Sequence, residues 1–480
     1  MSYEKYETVI GLEVHIQLAT KSKAFCGDEN KFAGAPNTHI SPISLAHPGT
    51  LPRLNETQVA YAVRLGLALG CRINPLNRFD RKNYFYADLP KGYQITQQDE
   101  PVCIGGEMDV RTPEYTRKIR IHHIHMEEDA GKSTHDAYPD YTVVDLNRAG
   151  VPLVELVTEP DFRSAEEVDI FMNTMRQLVR YLEISDGNME EGSMRCDCNI
   201  SVRLKGSDTY GNRCEIKNVN SMRFARRAIK FEVKRQIDLL ESGGEVLQQT
   251  LNFDPVTGKT SPLRSKEDAH DYRYFPDPDL PPVALSEDYI DKIRQQQPPL
   301  PWNLRQKFQE EYGLSEYDAR LLTEHKKDAL LFMECCTASK YYKPLANLFI
   351  NKIKTYQKAY PTAIFTEKQL TDFVELTATN QINITVANQQ LFPAMAAAPD
   401  KSVKDLAKAM NLFQSDDGDF LDGLIKEVLA QHPDKVKAYK NGKRNLLQMF
   451  MGQVMRNAKG KADPKKLQEL LKIHLGTVQK

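Results

Sequence analysis

The chain lacks a sizeable net charge, a long apolar run and the dense cysteine spacing of a secreted domain. Its 64 Lys and Arg against 65 Asp and Glu leave a formal net charge of -1, which excludes an overall attraction to polyanions. No membrane span and no secretory leader are expected, because an apolar run of about 18 residues and a basic-then-apolar start are both missing. The eight cysteines favour reduced thiols and a cytoplasmic protein.

Composition and periodicity indicate several globular domains in the 480 residues. Residues 1–294 read as many short strands with two long helices, Ser164–Leu182 and Met222–Glu241. Ser164 with Glu167 has the spacing of a capping box. The fold class predicted for residues 1–294 is therefore α+β with a large antiparallel sheet, and we call this part the cradle domain.

Prolines accumulate between Pro276 and Pro301, which predicts a connector after the cradle domain. Helical periodicity follows, with helix starts at Ser315 and Thr366, and predicts an all-α domain over residues 295–411. A small all-α tail domain is expected over residues 412–480. Internal repeats and low-complexity tracts do not occur in the sequence.

The tail carries a local excess of positive charge. Between Gln431 and Lys480, twelve Lys or Arg stand against three acidic residues, a balance of +9. Five cations flank the apolar run Leu446–Phe450 and are candidates for contact with an RNA backbone: Lys443, Arg444, Arg456, Lys459 and Lys461. The alternative is a solvated helix face.

The segment from Val9 to Leu18 alternates apolar and polar side chains in the pattern of a half-buried β-strand. The side chains predicted to face a core are Leu12, Val14, Ile16 and Leu18. The other face presents Glu13, His15 and Gln17, and similar strand patterns present Asp197, Glu215 and either Glu127 or Glu128. Oxygen-rich ligands with one imidazole suit Mg²⁺ or Mn²⁺ better than Zn²⁺. The hypothesis is one cradle for a nucleotide-bound cation, and the alternative is four unrelated polar faces.

Other motifs are weaker. Phe79–Tyr86 mixes cations with aromatics, which fits phosphate and base contacts or a sheet edge with a charged flank. Cys196, Cys198 and Cys214 lack a fourth zinc ligand, so buried free thiols are expected. Neither Gly131-Lys132-Ser133 nor Gly258-Lys259-Thr260 has the first glycine of a P-loop. A Gly-x-Ser-x-Gly elbow and an amidase loop are also missing, which disfavours a serine hydrolase.

Many longer segments, in one order along nearly the whole chain, resemble the B subunit of tRNA-dependent amidotransferase. In the cradle domain these are Gly11–His15, Asp80–Tyr86, Leu89–Gln94, His125–Lys132, Asn147–Pro152, Gly187–Gly192, Glu215–Asn218 and His270–Pro276. In the tail they are Gly452–Met455 and Gly460–Ala462.

The resemblance implies a ligase that uses glutamine as amide donor, as one chain of a heterotrimer. Its expected partners are an amidase A subunit, a small C subunit and tRNA, with neither DNA nor a membrane. ATP and Mg²⁺ would serve to phosphorylate the side-chain carboxylate of Glu-tRNA(Gln), Asp-tRNA(Asn) or both. Ammonia from the amidase would then displace phosphate. The alternative is a non-catalytic scaffold that presents tRNA, and a stand-alone hydrolase would leave the basic tail unexplained.

The resemblance also assigns roles to residues of the cradle domain. The implied metal ligands are His15, Glu128, Asp197 and Glu215. The implied catalytic residues are Glu13, Glu127, Lys82 and Arg148, and the implied nucleotide contacts are Arg81, Lys82 and Lys132. Glu128→Gln is then expected to abolish ATP turnover that depends on tRNA. The four positions at which the family often carries zinc-binding cysteines hold Cys26, Asp28, Ser41 and Ser44, so no structural zinc is expected.

Overall fold

The computed structural model describes residues 3–135, 140–219, 221–264, 271–414, 418–458, 462 and 464–476. The chain divides into two units, Met1–Leu300 and Pro301–Lys480. The predicted division into three domains, with boundaries after residues 294 and 411, stays a prediction. In the described part of the chain, no helix combines the length and the apolar character needed to cross a membrane.

The first unit is built mainly from strands. These are β1 Tyr6–Gln17, β2 Arg72–Ile73, β3 Leu76–Asn77, β4 Asp80–Asn83, β5 Tyr93–Thr96, β6 Cys103–Ile104, β7 Glu107–Arg111, β8 Thr116–Glu128, β9 Lys132–Thr134, β10 Val143–Asp145, β11 Pro152–Thr158, β12 Met194–Leu204, β13 Cys214–Val219, β14 Gln249–Asp254, β15 Lys259–Arg264, β16 Phe275–Pro276 and β17 Val283–Ala284. Its helices are a 3-10 turn at Tyr3–Lys5, α1 Glu56–Ala68, α2 Ala165–Tyr181, α3 Met222–Glu241 and α4 Glu287–Gln295.

Ten of these strands form one sheet, in the order β15-β14-β13-β12-β1-β11-β8-β6-β2, with β7 also paired to β8. The α+β class is confirmed. The sheet is not wholly antiparallel, however, because β13 and β14 run parallel. Helix α3 lies between them in sequence, and a parallel pair needs such a crossover.

The alternating pattern of β1 is confirmed: Leu12, Val14 and Ile16 are at most 1% exposed. Helices α1, α2 and α3 pack against the sheet. Both long helices form where periodicity predicts them, and Ser164 Oγ accepts the N–H of Glu167. The reciprocal capping-box bond is absent, because the Glu167 carboxylate instead accepts the N–H of Arg163 and pairs with Arg117.

The proline-rich stretch is more than a connector. It contains β16, which pairs with β4, β17, which pairs with β3, and helix α4, which packs against α1. Leu280, Leu285, Ile290 and Ile293 are buried there. Prolines are compatible with this structure because they stand in a two-residue strand and in loops, where few backbone donors are needed.

The second unit is helical, as predicted. Its α-helices are α5 Pro301–Glu310, α6 Glu316–Leu322, α7 Lys326–Ala338, α8 Tyr342–Leu348, α9 Lys354–Ala359, α10 Glu367–Ala378, α11 Ile384–Val386, α12 Phe392–Ala397, α13 Val403–Ala409, α14 Gly418–Ala430, α15 Pro433–Lys440, α16 Leu446–Asn457 and α17 Pro464–Leu475. Two π-helical turns occur at Phe349–Ile353 and Ala387–Leu391. The helix starts at Ser315 and Thr366 are confirmed, and Thr366 forms a capping box with Gln369. Helices α14 to α17 share a buried apolar cluster that includes Ile425, Phe450 and Leu471.

Candidate functional site

The register of the sheet gathers acidic and imidazole side chains on the polar face of β1. Glu13 lies opposite Asp197 of β12, and His15 lies opposite Glu155 of β11. One strand further, Glu155 lies opposite His125 of β8. Side chains that oppose each other in neighbouring strands project from the same face, about 5 Å apart. Pairing alone therefore builds a continuous polar surface across four strands.

His15, Glu127 and Glu155 form the first compact set, which we call the histidine–carboxylate group. Their potential ligand atoms lie within 4.8 Å of one another. His15 Nε2 is 3.3 Å from Glu155 Oε2 and 3.7 Å from Glu127 Oε1. A second imidazole joins them, since His125 Nε2 lies 3.4 Å from Glu155 Oε2 and 3.6 Å from Glu127 Oε2. Two imidazoles thus share two carboxylates.

The charges of this group stabilise protonated imidazoles. Burial alone would lower the pKa of His15, but its hydrogen bond to Glu155 and the nearby carboxylate charges raise that pKa to about 9. The same balance raises the pKa of His125 to about 10. Although burial opposes its ionised form, the pKa of Glu155 is held well below its usual range, chiefly by His125. A divalent cation bound through His15 would have to displace a proton.

Glu13, Asp197 and Glu215 form the second set, which we call the tricarboxylate group. Their ligand atoms also lie within 4.8 Å of one another. Lys217 Nζ lies 2.6 Å from Glu215 Oε1 and 3.2 Å from Asp197 Oδ2, so one ammonium partly neutralises this group. The Asn199 amide donates to Glu13 Oε1 at 3.0 Å. Burial, followed by the charges of Glu155, Glu215 and Asp197, raises the pKa of Glu13.

Among the described residues, Glu127 joins one of these groups and Glu128 joins neither, so a place for Glu128 among the metal ligands stays a prediction that the geometry does not favour. Its carboxylate pairs with Lys91 and accepts the N–H of Ile95 at 3.0 Å. Strand periodicity explains the difference, because Glu127 and Glu128 are adjacent in β8 and project from opposite faces. Glu128 instead lines a cavity of about 190 Å³ with Cys26 and His47.

Glu155 and His125 are the site residues that sequence reasoning missed. Glu155 is the single charged residue in the mostly apolar strand Pro152–Thr158. An ionisable side chain is seldom placed in a strand of that composition without a partner. That signal was available, and so was His125 at two residues from Glu127, but only the pairing of β11 with β1 and β8 shows where they meet.

Lys82 approaches the histidine–carboxylate group through its strand partner: it lies opposite Gln94 of β5, whose amide donates to Glu127 Oε2 at 3.1 Å. Lys82 Nζ is 4.8 Å from the centre of the Tyr272 ring. Burial opposes its charge, but Tyr274, Glu127, Tyr272 and Glu155 outweigh that effect and raise the pKa of Lys82. The ammonium is therefore held in its charged form beside the carboxylates, a position suited to an anionic substrate.

The other cations named from the sequence have different surroundings. Arg81 pairs with Asp277 at 2.9 Å and Asp279 at 2.7 Å, so β4 is held to the segment after β16 and little of that charge is left for a phosphate. Arg148 donates to the carbonyls of Ala130 and Gly131. Lys132 is exposed on the two-stranded ladder of β9 and β10. The nucleotide contacts of Arg81 and Lys132 and the catalytic role of Arg148 stay predictions that the geometry does not favour.

In the tail, Lys443, Arg444 and Arg456 are exposed. Lys443 and Arg444 precede α16, and Arg456 lies in its last turn. Phe450 of the same helix is fully buried against neighbouring helices. Lys459 and Lys461 lie outside the described residues, as does His270 of the resembling motifs. The role of these cations in binding RNA stays a prediction.

The position of the family's zinc knot is held by hydrogen bonds. Ser44 Oγ donates to Asp28 Oδ2 at 2.5 Å and accepts the N–H of Ser41 at 2.9 Å. Burial raises the pKa of Cys26 to about 11, which disfavours the thiolate that zinc requires. The absence of structural zinc stays a prediction. All eight cysteines are free and buried, which confirms the interpretation of Cys196, Cys198 and Cys214.

A cavity of about 540 Å³ adjoins the tricarboxylate group. Glu13 and Asn199 form part of its wall, and Tyr210, Arg213 and Gln248 line it further out. This volume falls in the range of small-molecule and cofactor sites. The polar face of β1 therefore leads directly into a space of ligand size, lined by one aromatic ring and one guanidinium.

The sheet carries buried carboxylates and imidazoles beside a ligand-sized cavity. This combination is typical of the active-site domain of an enzyme. Comparisons with known proteins agree with that class. The family model described as the GatB/GatE catalytic domain matches residues 8–291, and the one described as the GatB domain matches residues 330–475. The chain belongs to the GatB family, the B subunits of aspartyl/glutamyl-tRNA amidotransferase.

Curated relatives match over nearly their full length. The chain is 45% identical to the B subunit of aspartyl/glutamyl-tRNA(Asn/Gln) amidotransferase from Myxococcus xanthus, over 99% of this chain and 100% of the relative. The protein of the same name from Geotalea uraniireducens is 46% identical over 97% and 98%. That from Thermodesulfovibrio yellowstonii is 45% identical over 97% and 98%. The resemblance drawn from sequence motifs is confirmed.

Proposed function

We propose that this chain activates the side-chain carboxylate of Glu-tRNA(Gln), Asp-tRNA(Asn) or both with ATP, as the B subunit of a heterotrimer with an amidase A subunit and a small C subunit. The observation that carries the proposal is the pair of adjoining groups on the face of β1. Relatives of this length and identity are named as amidotransferase subunits. Within such a complex, glutamine hydrolysis belongs to another chain, in agreement with the missing amidase loop.

The donor sets of both groups fit Mg²⁺. His15, Glu127 and Glu155 would hold one ion, and Glu13, Asp197 and Glu215 would hold a second, with Glu13 and Glu127 now among the ligands. Carboxylate oxygens are the ligands this ion prefers, and substrate phosphates usually complete its shell. When bound, the ions would neutralise the charge that develops on a transferred phosphoryl group.

The cavity beside the tricarboxylate group is the proposed place of the nucleotide. Tyr210 offers a ring on which a base can stack, and Arg213 offers a cation for a phosphate or ribose. ATP bound there would direct its phosphates toward Glu13 and the polar face of β1. Lys82 lies on the β4–β5 pair opposite Gln94, whose amide donates to Glu127 Oε2.

The reaction then has two displacements. A carboxylate oxygen of the aminoacyl side chain attacks the γ-phosphorus of ATP, the bond to the β-phosphate oxygen breaks, and ADP leaves. Ammonia next attacks the acyl carbon, phosphate leaves, and the lost proton passes to solvent or a nearby base. Lys82 would attract the incoming carboxylate, and His125 would hold the carboxylates of Glu127 and Glu155, while His15, once deprotonated, would ligate the cation. Positioning and charge stabilisation are what phosphoryl transfer chiefly requires.

A purified complex of the three chains tests the proposal. We expect ATP hydrolysis to rise when Glu-tRNA(Gln) or Asp-tRNA(Asn) is added, and to stay low with uncharged tRNA. With an ammonium salt in place of glutamine, the amide should form without the amidase reaction. A complex that binds tRNA but shows no tRNA-dependent ATP turnover would instead indicate a presenting scaffold, for which a surface of clustered carboxylates has no use.

The tail gives a separate prediction. Deleting residues 412–480 is expected to weaken tRNA affinity and to flatten its dependence on salt, because fewer phosphates would be neutralised. Lys443, Arg444 and Arg456 are exposed, and they are the cations proposed to neutralise those phosphates. Filter binding at several salt concentrations measures both effects. Unchanged affinity at every salt concentration would show that the basic tail serves another purpose.

A further inference from the structure

Four tyrosines form a row on the three-stranded sheet of β16, β4 and β5 and its flanking loops. The ring centres of Tyr86 and Tyr84 are 5.7 Å apart, those of Tyr84 and Tyr272 are 6.0 Å apart, and those of Tyr272 and Tyr274 are 6.1 Å apart. Each step is an edge-to-face contact, a favourable arrangement of aromatic pairs. We call these four residues the tyrosine row.

The outer end of the row is open to solvent. Tyr86 is 58% exposed, and Phe85 beside it is 79% exposed. Inward, Tyr84 and Tyr272 are only partly exposed. Large rings that a soluble unit leaves exposed together, and not in its core, commonly mark a binding surface. The rings of Phe85 and Tyr86 are therefore accessible to a flat ligand from solvent.

The middle of the row lies beside Lys82, which the pairing of β4 with β5 sets opposite Gln94, and the Gln94 amide donates to Glu127 Oε2 at 3.1 Å. Lys82 Nζ stands 4.8 Å from the Tyr272 ring and 5.9 Å from the Tyr84 ring. Burial first, and then Tyr272, Glu127 and Glu155, raise the pKa of Tyr274, while Lys82 acts in the opposite direction. Glu127 also contributes to the raised pKa of Tyr84. Tyr274, at the far end of the row, is 38% exposed, so both ends are open to solvent and the middle of the row, at Lys82, is the part nearest Glu127.

We propose that the tyrosine row binds the unpaired 3′ end of the aminoacylated tRNA by stacking its last bases. The inference rests on the proposed function and deepens it. In aminoacyl-tRNA the amino acid is esterified to the terminal nucleotide, so a side-chain carboxylate placed beside Glu127 and Glu155 brings the terminal bases onto the adjoining surface. Aromatic faces bind unpaired bases without regard to sequence, and Lys82 complements the carboxylate and the phosphates.

Single-stranded RNA is favoured over a protein partner because of this combination of features. The row combines aromatic rings with a cation, Lys82, next to the site where the ester-linked group must react. An acidic peptide could offer a carboxylate to Lys82, but it would leave the row of flat rings without partners of matching shape. An RNA end carries its reactive carboxylate to the cations and its neutral bases to the rings.

The test uses the whole heterotrimer and misacylated tRNA with 2-aminopurine at the terminal position, whose fluorescence falls on stacking. Tyr86→Ala and Tyr84→Ala are expected to restore fluorescence and to raise the KM for tRNA about 5- to 150-fold, the usual effect of losing one stacked base. Tyr86→Phe keeps the ring and should behave as wild type. Tyr317→Ala, at an exposed tyrosine of the second unit, is the matched control.

If both alanine variants quench 2-aminopurine as strongly as wild type and have the wild-type KM for tRNA, the tyrosine row is not the binding surface. Circular dichroism confirms that each variant folds. The proposed function fails separately, if wild-type complex quenches the probe normally but shows no tRNA-dependent ATP turnover. A rise in KM without any change in quenching would also contradict the inference, since it would place the affected contact away from the terminal base.

Discussion

Replacing Glu155 by glutamine is expected to lower tRNA-dependent ATP turnover by about a hundred-fold or more, since loss of even an indirect partner of a metal ligand costs about 10- to 100-fold. Glu155 Oε2 is the atom that both His15 and His125 approach. The variant therefore loses a proposed cation ligand and the partner that orients two imidazoles. Binding of tRNA should stay within about two-fold, because tRNA affinity depends chiefly on cations that neutralise phosphates, and a carboxylate does not neutralise them. Rapid-quench ATP hydrolysis and filter binding measure the two quantities.

Two further variants make this result specific. Glu245→Gln removes an exposed carboxylate and should leave turnover unchanged. Glu128→Gln distinguishes the ligand set implied by the sequence, which includes Glu128, from the sets proposed here, which do not. Because Glu128 is paired with Lys91, we expect this variant to bind Mn²⁺ with unchanged affinity. Loss of Mn²⁺ affinity in Glu128→Gln together with full activity in Glu155→Gln would restore the shell expected from the sequence.

Replacing Lys217 by methionine is expected to destabilise the cation-free protein by about 1–3 kcal/mol. Removing one partner of a buried ion pair costs roughly 3–5 kcal/mol, and the one-third exposure of the Lys217 side chain reduces that penalty. Glu13, Asp197 and Glu215 would then repel one another without their ammonium. Millimolar Mg²⁺ should recover most of the loss, because an ion bound to the folded state alone stabilises that state.

Urea unfolding of the complex and of the chain, with and without MgCl₂, measures this effect. Lys217→Arg retains the charge and is the matched control. Stability equal to wild type without Mg²⁺ would contradict the ion-pair account of Lys217. An equal loss with and without Mg²⁺ would show that the tricarboxylate group does not bind the cation.

Local patterns predicted much of the fold. The alternating pattern of β1 correctly predicted which of its residues are buried. Helical periodicity predicted the bounds of α2 and α3 nearly to the residue. These features depend on neighbours in sequence, so the sequence displays them directly. The parallel pairing of β13 with β14 was not predicted, because the direction of a distant strand is decided by the path of α3 across the sheet.

The site was predicted in part for the same reason. Glu13, Asp197 and Glu215 lie on faces that period two reveals and meet in the tricarboxylate group, whereas His15, on the same face of β1 as Glu13, lies in the histidine–carboxylate group. The choice between Glu127 and Glu128 depends on which face of β8 meets β11, and the position of Glu155 depends on register. The partners of Arg81 were also hidden, because Asp277 and Asp279 lie far away in the sequence.

The most direct test of the account locates Mn²⁺ by anomalous diffraction in crystals of the complex with a non-hydrolysable ATP analogue. We expect one peak among His15, Glu127 and Glu155, a second among Glu13, Asp197 and Glu215, and analogue phosphates on both. Metal that binds elsewhere, with both groups retaining only their protein partners, would contradict the central claim.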